Sequence, residues 1–449
     1  MKRILLNDCI MKCIKCSAEN NVQEQMASMG KCKNCQHPFV FTANSISPTT
    51  RLNDFFFAQL LDEISARKTL FFTPHQLYYL LNKRLQPSKS KVSLAQDLLR
   101  YLVFSPLIII ALSFWIAYLL KLSTDLLITI STILISVYTL GIVITIAQSS
   151  ISHRLNRRDR QSRAKTLKIL AGLLLLVGLP ISIATQSLLG ITTTLGAGLM
   201  AILLNLEQQR QQHIADNLLI SKDQFEEYLS QWIKINGEPV KILSQKPIPL
   251  LPPSPNSEAI IYRSATLTYQ FDRVVVCNRT AVAQLLIRNN FQLENSCAVL
   301  TIDGYPADTF AATLEVLHRN PKLKVYALHD ASPHGVQMVY RLRQEKMWFP
   351  NITIPIIDVG MMPRQVMNNL DLSTGNSKKV AQAARRMPPI VRDSLLPAEL
   401  KWLDMGCYID LESFSSQQII QILQRAIDES SQLNSEGSDA DFYLLENFE

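Results

Sequence analysis

Cys13-Ile14-Lys15-Cys16 and Cys32-Lys33-Asn34-Cys35 are two Cys-x-x-Cys pairs separated by fifteen residues. Four thiolates at this spacing can surround one cation as a tetrahedron, and zinc is the ion that asks for that geometry. An all-cysteine site is coordinatively closed, so it predicts a structural zinc and no chemistry at the metal. The chain around it is too short to build its own core, so the ion would carry its folding. A redox dithiol fits less well, because no strand–helix pattern flanks the pairs. The remaining Cys9, Cys277, Cys297 and Cys407 are scattered and form no even disulfide framework. A second group of reactive side chains lies far along the chain, in Cys277-Asn278, Asp303-Gly304 and His329-Asp330-Ala331-Ser332-Pro333-His334-Gly335. Asp330 and Asp303 are the candidate catalytic carboxylates. Cys277 with His329 or His334 would alternatively make a thiol nucleophile or a site for a softer metal. The plainer reading is a loop with polar residues left at a strand end.

The elements that must position this second group alternate in type. Strands are predicted at 272–277, 298–302, 324–328 and within 352–359, and helices at 280–288, 307–318 and 335–345. That order predicts a mainly parallel sheet with helices on both faces, and sites at the carboxyl ends of its strands. Residues 52–86 read as two amphipathic helices, the second opened by the capping sequence Thr73-Pro74-His75-Gln76. Ser221-Lys222-Asp223-Gln224 is another capping box, and Gly237 ends the helical run that follows it. Prolines 247, 249, 252, 253 and 255 mark a stiff linker.

The two cysteine pairs, with His37-Pro38-Phe39 after the second, resemble bacterial zinc ribbons. His37 is expected to pack, not to ligate. The ordered set Val274-Val275-Val276-Cys277-Asn278, Asp303-Gly304-Tyr305-Pro306, Asp330-Ala331-Ser332-Pro333-His334-Gly335, Val359-Gly360-Met361-Met362-Pro363 and Glu399-Leu400 through Asp410-Leu411-Glu412-Ser413-Phe414 resembles the Toprim domain of the topoisomerase VI A subunit family over about residues 258–430. The resemblance implies a Mg²⁺ site of one glutamate and two aspartates acting on DNA. Here Cys277 stands at the glutamate position and Ser332 at the second aspartate position, leaving Asp330. Magnesium wants several hard oxygen ligands, so Mg²⁺ binding is doubtful. No DNA-cleaving tyrosine domain precedes it, and Tyr78 and Tyr79 read as part of a packing helix.

Apolar residues make up 47% of the 449 and concentrate between Tyr101 and Leu204. Residues 101–120, 126–147, 169–184 and 188–204 are predicted as four membrane spans, the last two with a re-entrant hairpin as alternative. The formal net charge is +8. Much of the excess lies in the loop from Arg154 to Lys168, which the positive-inside rule assigns to the cytosol, with both termini on that side. No cleavable signal peptide is read, and Met11 is an alternative start to Met1. The expected architecture is multi-domain: zinc ribbon 11–42, helical segment 52–86, α-helical membrane block 101–204, helical segment 205–243, Pro-rich linker 244–257, α/β Toprim-like domain 258–433 and acidic tail 434–449.

These features predict a multi-pass protein of the bacterial inner membrane. It would be a non-catalytic binding or regulatory protein, with the lipid bilayer, nucleic acid or nucleotide, and a protein bound by the ribbon as partners. Two rivals stay open. One is a metal-dependent nuclease or phosphotransferase with a remodelled site. The other is a membrane effector triggered by a nucleic-acid signal, which the lack of intramembrane charge between Leu126 and Ala147 and between Ile169 and Leu204 disfavours.

Overall fold

A computed structural model describes residues 11–41, 52–85, 188–211, 218–243, 271–345, 347–349, 354–367, 369 and 372–433, with scattered positions between 111 and 183. The chain forms two compact units, residues 1–85 with 218–449, and residues 86–217.

In the first unit the N-terminal segment carries β1 (Met11–Lys12), β2 (Glu19–Asn20) and α1 (Val22–Ala27), with β1 and β2 antiparallel. The hairpin of α2 (Asp54–Ile64) and α3 (Pro74–Leu85) follows. The Thr73 capping box forms, with the Thr73 amide donating to Gln76 Oε1 at 2.9 Å and the Gln76 amide to Thr73 Oγ1 at 3.2 Å. In the second unit, α4 spans Leu188–Gln211. The chain re-enters the first unit at α5 (Lys222–Asn236), which starts at the Ser221 capping box and stops at Gly237, at φ 85°. Helices α2, α3 and α5 share one apolar core around Phe57, Leu60, Leu77, Leu81, Phe225 and Trp232. Two segments that the sequence treats as separate, 52–86 and 205–243, therefore close on each other. Each helix has one apolar stripe and needs a partner to bury it.

The C-terminal domain contains β3 (Arg273–Cys277), α6 (Thr280–Arg288), α7 (Phe291–Glu294), β4 (Cys297–Thr301), α8 (Ala307–Arg319) and β5 (Lys324–Leu328). It continues through α9 (Pro333–Val336), α10 (Met338–Gln344), β6 (Ile356–Asp358), α11 (Pro363–Val366) and β7 (Gly375–Asn376). α12 (Lys378–Arg385), α13 (Pro389–Asp393), α14 (Pro397–Asp404), β8 (Cys407–Tyr408) and α15 (Ser416–Leu433) complete it. The sheet order is β4-β3-β5-β6 and every pairing is parallel. Val275, Cys277, Tyr326 and Leu328 feed one buried face, and Val274, Val276, Val325 and Ala327 the other. Burial on both faces explains the continuous apolar strands. The helix predicted at 335–345 is instead two short helices, α9 and α10.

The helical hairpin is tied by polar contacts to the segment after α5 and to the C-terminal domain. The Phe72 amide donates to the Lys241 carbonyl at 3.0 Å, and the Leu243 amide to the Phe72 carbonyl at 2.8 Å. Gln76 Nε2 donates to the Phe414 carbonyl at 2.9 Å, and Ser416 Oγ to the Phe71 carbonyl at 2.7 Å.

Among the described residues no helix is long and apolar enough to cross a membrane. The spans predicted at 101–120, 126–147 and 169–184 lie outside the described residues except for scattered positions, and the span at 188–204 falls within α4. Leu188, Leu195, Leu199, Leu203 and Leu206 on α4 are exposed. The linker 244–257 and the tail 434–449 also lie outside the described residues.

Candidate functional site

The four N-terminal cysteines are brought together. One sulfur from each lies within 4.8 Å of all the others. Cys13 Sγ is 3.6 Å from Cys35 Sγ, and Cys16 Sγ is 3.6 Å from Cys32 Sγ. A tetrahedron with metal–sulfur bonds of about 2.3 Å has edges of roughly 3.8 Å, so the spacing suits zinc.

The two knuckles repeat one backbone design. The Ser17 amide donates to the Cys13 carbonyl and the Gln36 amide to the Cys32 carbonyl, at 2.9 and 3.0 Å. Ser17 and Gln36 then take left-handed φ of 59° and 57° to turn the chain back. Asn20 Nδ2 donates to Cys32 Sγ at 3.5 Å. Desolvation raises the Cys32 thiol pKa, but backbone N–H groups of Cys35 and Asn34 and the Asn20 amide outweigh it and lower the value to about 6. Burial pushes the Cys13 thiol up to about 12. His37 is not among the metal-capable set, and its Nε2 is 2.9 Å from Asn236 Oδ1 on α5.

The second site is built at the carboxyl ends of β3 and β5. Asp330 follows β5 and is 1% exposed. Ser332 caps α9 and donates from Oγ to Asp330 Oδ1 at 2.5 Å. Gly335 is required there, because an added Cβ would stand 2.0 Å from the Asp330 carbonyl oxygen. Arg279, just past β3, donates from Nε to Asp330 Oδ2 at 2.7 Å. Its other nitrogens pair with Asp410 and approach Glu412, the latter at 3.8 Å. Three carboxylates thus converge on one guanidinium. Burial works against the charged guanidinium, but Asp330, Asp410 and Glu412 outweigh it and raise its pKa.

The helical hairpin completes the cluster. Tyr79 Oη donates to Asp410 Oδ2 at 2.6 Å, and Thr73 Oγ1 to Glu412 Oε1 at 2.6 Å. His75 Nδ1 is 3.2 Å from Glu412 Oε2. Burial raises the Asp410 pKa despite Arg279 and Tyr79, whereas for Glu412 burial is outweighed by His75, Thr73 and Arg279, and its pKa is lowered. Burial and the neighbouring Asp410 raise the Tyr79 phenol.

Several expectations need correction. Cys277 does end β3, but its side chain is fully buried in the apolar core, and burial raises its thiol pKa. Its periodicity puts it on a packed face, so no cysteine–histidine nucleophile forms there. Asp303 is largely exposed on the β4–α8 turn, with Arg341 Nη2 at 3.7 Å, and does not join the cluster around Asp330. His329 is buried, with Nδ1 3.0 Å from the Asp330 carbonyl and Nε2 2.9 Å from Asp358 Oδ1. The contact with Asp358 is poorly directed for a hydrogen bond, so charge attraction is its main term. Desolvation opposes the imidazolium, yet Asp358 raises the His329 pKa. Asp358, whose burial also works against charge, is lowered by His329. His334 is exposed. Arg279, Asp410, Glu412 and Tyr79 were not legible as a group, nor was Asp358 as the partner of His329. The spacing Asp410-x-Glu412 after a strand end was a weak signal for two of them.

Among the described residues the group able to hold a metal is the four cysteines, and the carboxylates around Arg279 do not form one. The sheet order, the loop after β5 and the closing segment define a parallel α/β domain. Residues 273–427 match the family model for the Toprim domain shared by the A subunit of topoisomerase 6 and Spo11. No curated protein matches the chain.

Proposed function

We propose that this chain is a membrane-anchored, non-catalytic binding or regulatory protein that recognises nucleic acid or nucleotide through its Toprim-like domain. The observation that carries this reading is the seating of Arg279 among Asp330, Asp410 and Glu412. Phosphoryl transfer on a carboxylate site needs a divalent ion to bridge carboxylates and phosphate. A guanidinium offsets part of the acids' charge but offers no open coordination position, and it cannot be deprotonated to yield the place. The rival, a metal-dependent nuclease or phosphotransferase, would require Arg279 to swing out.

Membrane anchoring rests on the apolar stretches between 101 and 204. Two features support it. The chain leaves the first unit after α3 and returns just before α5, and those points adjoin: Tyr78 Oη donates to the Ile220 carbonyl at 3.2 Å, and the Ile220 amide to Asn82 Oδ1 at 3.0 Å. A segment that departs and returns at one place favours an even number of crossings. The exposed leucines of α4 suit a lipid environment. The four cysteines would hold zinc as a structural ion, and the ribbon is free to take a protein partner. With the basic loop Arg154–Lys168 in the cytosol, both termini face the cytosol of a bacterial inner membrane.

A nicking assay on supercoiled DNA with Mg²⁺ tests the catalytic claim. No cleavage is expected, and robust cleavage abolished by Asp330→Ala would overturn it. Reporter fusions at Asn205 and Glu449 should both report cytosol, and a far-side signal at Glu449 would refute the topology.

A further inference from the structure

Arg279 and Asp410 of the cluster line one wall of a cavity of about 500 Å³. Tyr78 and Tyr79 of α3, Lys222 at the start of α5, Ser332 and His334 beside Asp330, and Lys379 of α12 all reach it. We propose that this cavity binds a nucleoside phosphate without a divalent metal, the phosphate held by Lys222 and Lys379 and the nucleoside against the tyrosines. The proposal rests on the reading that Arg279 stands in the cluster where a metal ion would be needed.

Charge is the first argument. Among the described residues Asp410 is the sole carboxylate of the lining, and it is already held by Arg279 and Tyr79. Lys222 and Lys379 are exposed to the cavity mouth and, among the described residues, take part in no ion pair. Two unneutralised ammonium groups facing one space favour an anion. Phosphate is the anion whose oxygens also suit the hydroxyls of Ser373 and Ser377 that share the lining. Ser377 caps α12, so the positive end of that helix adds to the same field.

Size and shape are the second argument. The cavity falls within the ~300–1,000 Å³ range of small-ligand sites and is far larger than a lone phosphate needs. Its apolar surface includes Tyr78 and Tyr408. The Tyr408 ring lies close over Gly375, where an added Cβ would meet it at 2.4 Å, so the ring is held against backbone as a fixed wall. A planar base suits such walls, since every base presents a π-face. A ligand there would also touch both sides of the 86–217 excursion, through Tyr78 and Tyr79 before it and Leu218 and Lys222 after it.

A nucleoside phosphate can reach the cavity free or as the end of a strand, and the test separates these. Full-length protein in mild detergent, in magnesium-free buffer, is titrated calorimetrically with ADP, adenosine, and an oligonucleotide carrying either a 5′-phosphate or a 5′-hydroxyl. Saturable binding of ADP or of the 5′-phosphorylated strand is expected, at least tenfold tighter than its unphosphorylated counterpart. The tighter of the two identifies the source. Lys222→Glu with Lys379→Glu should weaken it at least tenfold at unchanged melting temperature, because both side chains are exposed. Binding untouched by the double charge reversal overturns the proposal. So does absence of binding both with and without Mg²⁺, which leaves the metal-free reading of the cluster standing. Binding that appears only with Mg²⁺ and is lost in Asp330→Ala overturns that reading and the proposal together.

Discussion

Arg279→Ala is the perturbation that bears most directly on the cluster. It removes the guanidinium and leaves Asp330, Asp410 and Glu412 with side-chain exposures of 1%, 8% and 2%. Removing one partner of a buried ion pair costs about 3–5 kcal/mol, because the other charge stays buried without compensation. Arg279 itself is 33% exposed, so solvent already screens part of its attraction, and a value of about 3 kcal/mol is the better expectation. For domains of 150–250 residues that corresponds to a fall of roughly 6–12 °C in melting temperature. The loss should depend on pH with a definite sign. Without Arg279, buried Asp410 and Glu412 lose a cation that favours their charged forms, so they bind more protons in the folded state than in the unfolded chain. Stability of the variant relative to wild type should therefore recover as pH falls from 7.5 to 5. Differential scanning fluorimetry over pH reads both effects. A variant as stable as wild type at pH 7.5, or one whose deficit grows in acid, would refute the argument.

Two further outcomes are expected. Purified protein should carry one zinc per chain by metal analysis, and Cys13→Ser with Cys35→Ser should lose it; retention of full zinc would show that the cysteines are not its ligands. The His329–Asp358 pair should give a window of stability. The raised His329 pKa means its contribution is complete below the ordinary histidine value of about 6.5 and is lost as pH rises through the folded value. The lowered Asp358 pKa means its contribution is present above the ordinary value of about 3.9 and is lost as pH falls through the folded value. Urea midpoints should fall less steeply above neutrality in His329→Gln than in wild type, and equal slopes would exclude the pair as the cause.

Sequence alone determined what repeats locally. Paired cysteines at fixed spacing define their own site, because the ligands of a short chain can meet only around the ion. The runs 272–277 and 324–328 announced doubly buried strands, because apolar residues on both faces leave no other place for them. Thr73 and Ser221 announced helix starts, because a cap acts within one turn. What the tertiary structure decided was the meaning of the acids. Asp330 read as the remnant of a metal site, and only folding put Arg279 against it, across 51 positions of chain. Tyr79 and Asp410 lie 331 positions apart, and Thr73 and Glu412 339, yet each pair is in hydrogen-bonding contact. Nothing in local periodicity encodes such contacts, since charged side chains choose partners by spatial proximity in a low-dielectric interior. Cys277, the last residue of β3, is buried in the apolar core, whereas Arg279, two residues past it and beyond the strand, reaches the acids.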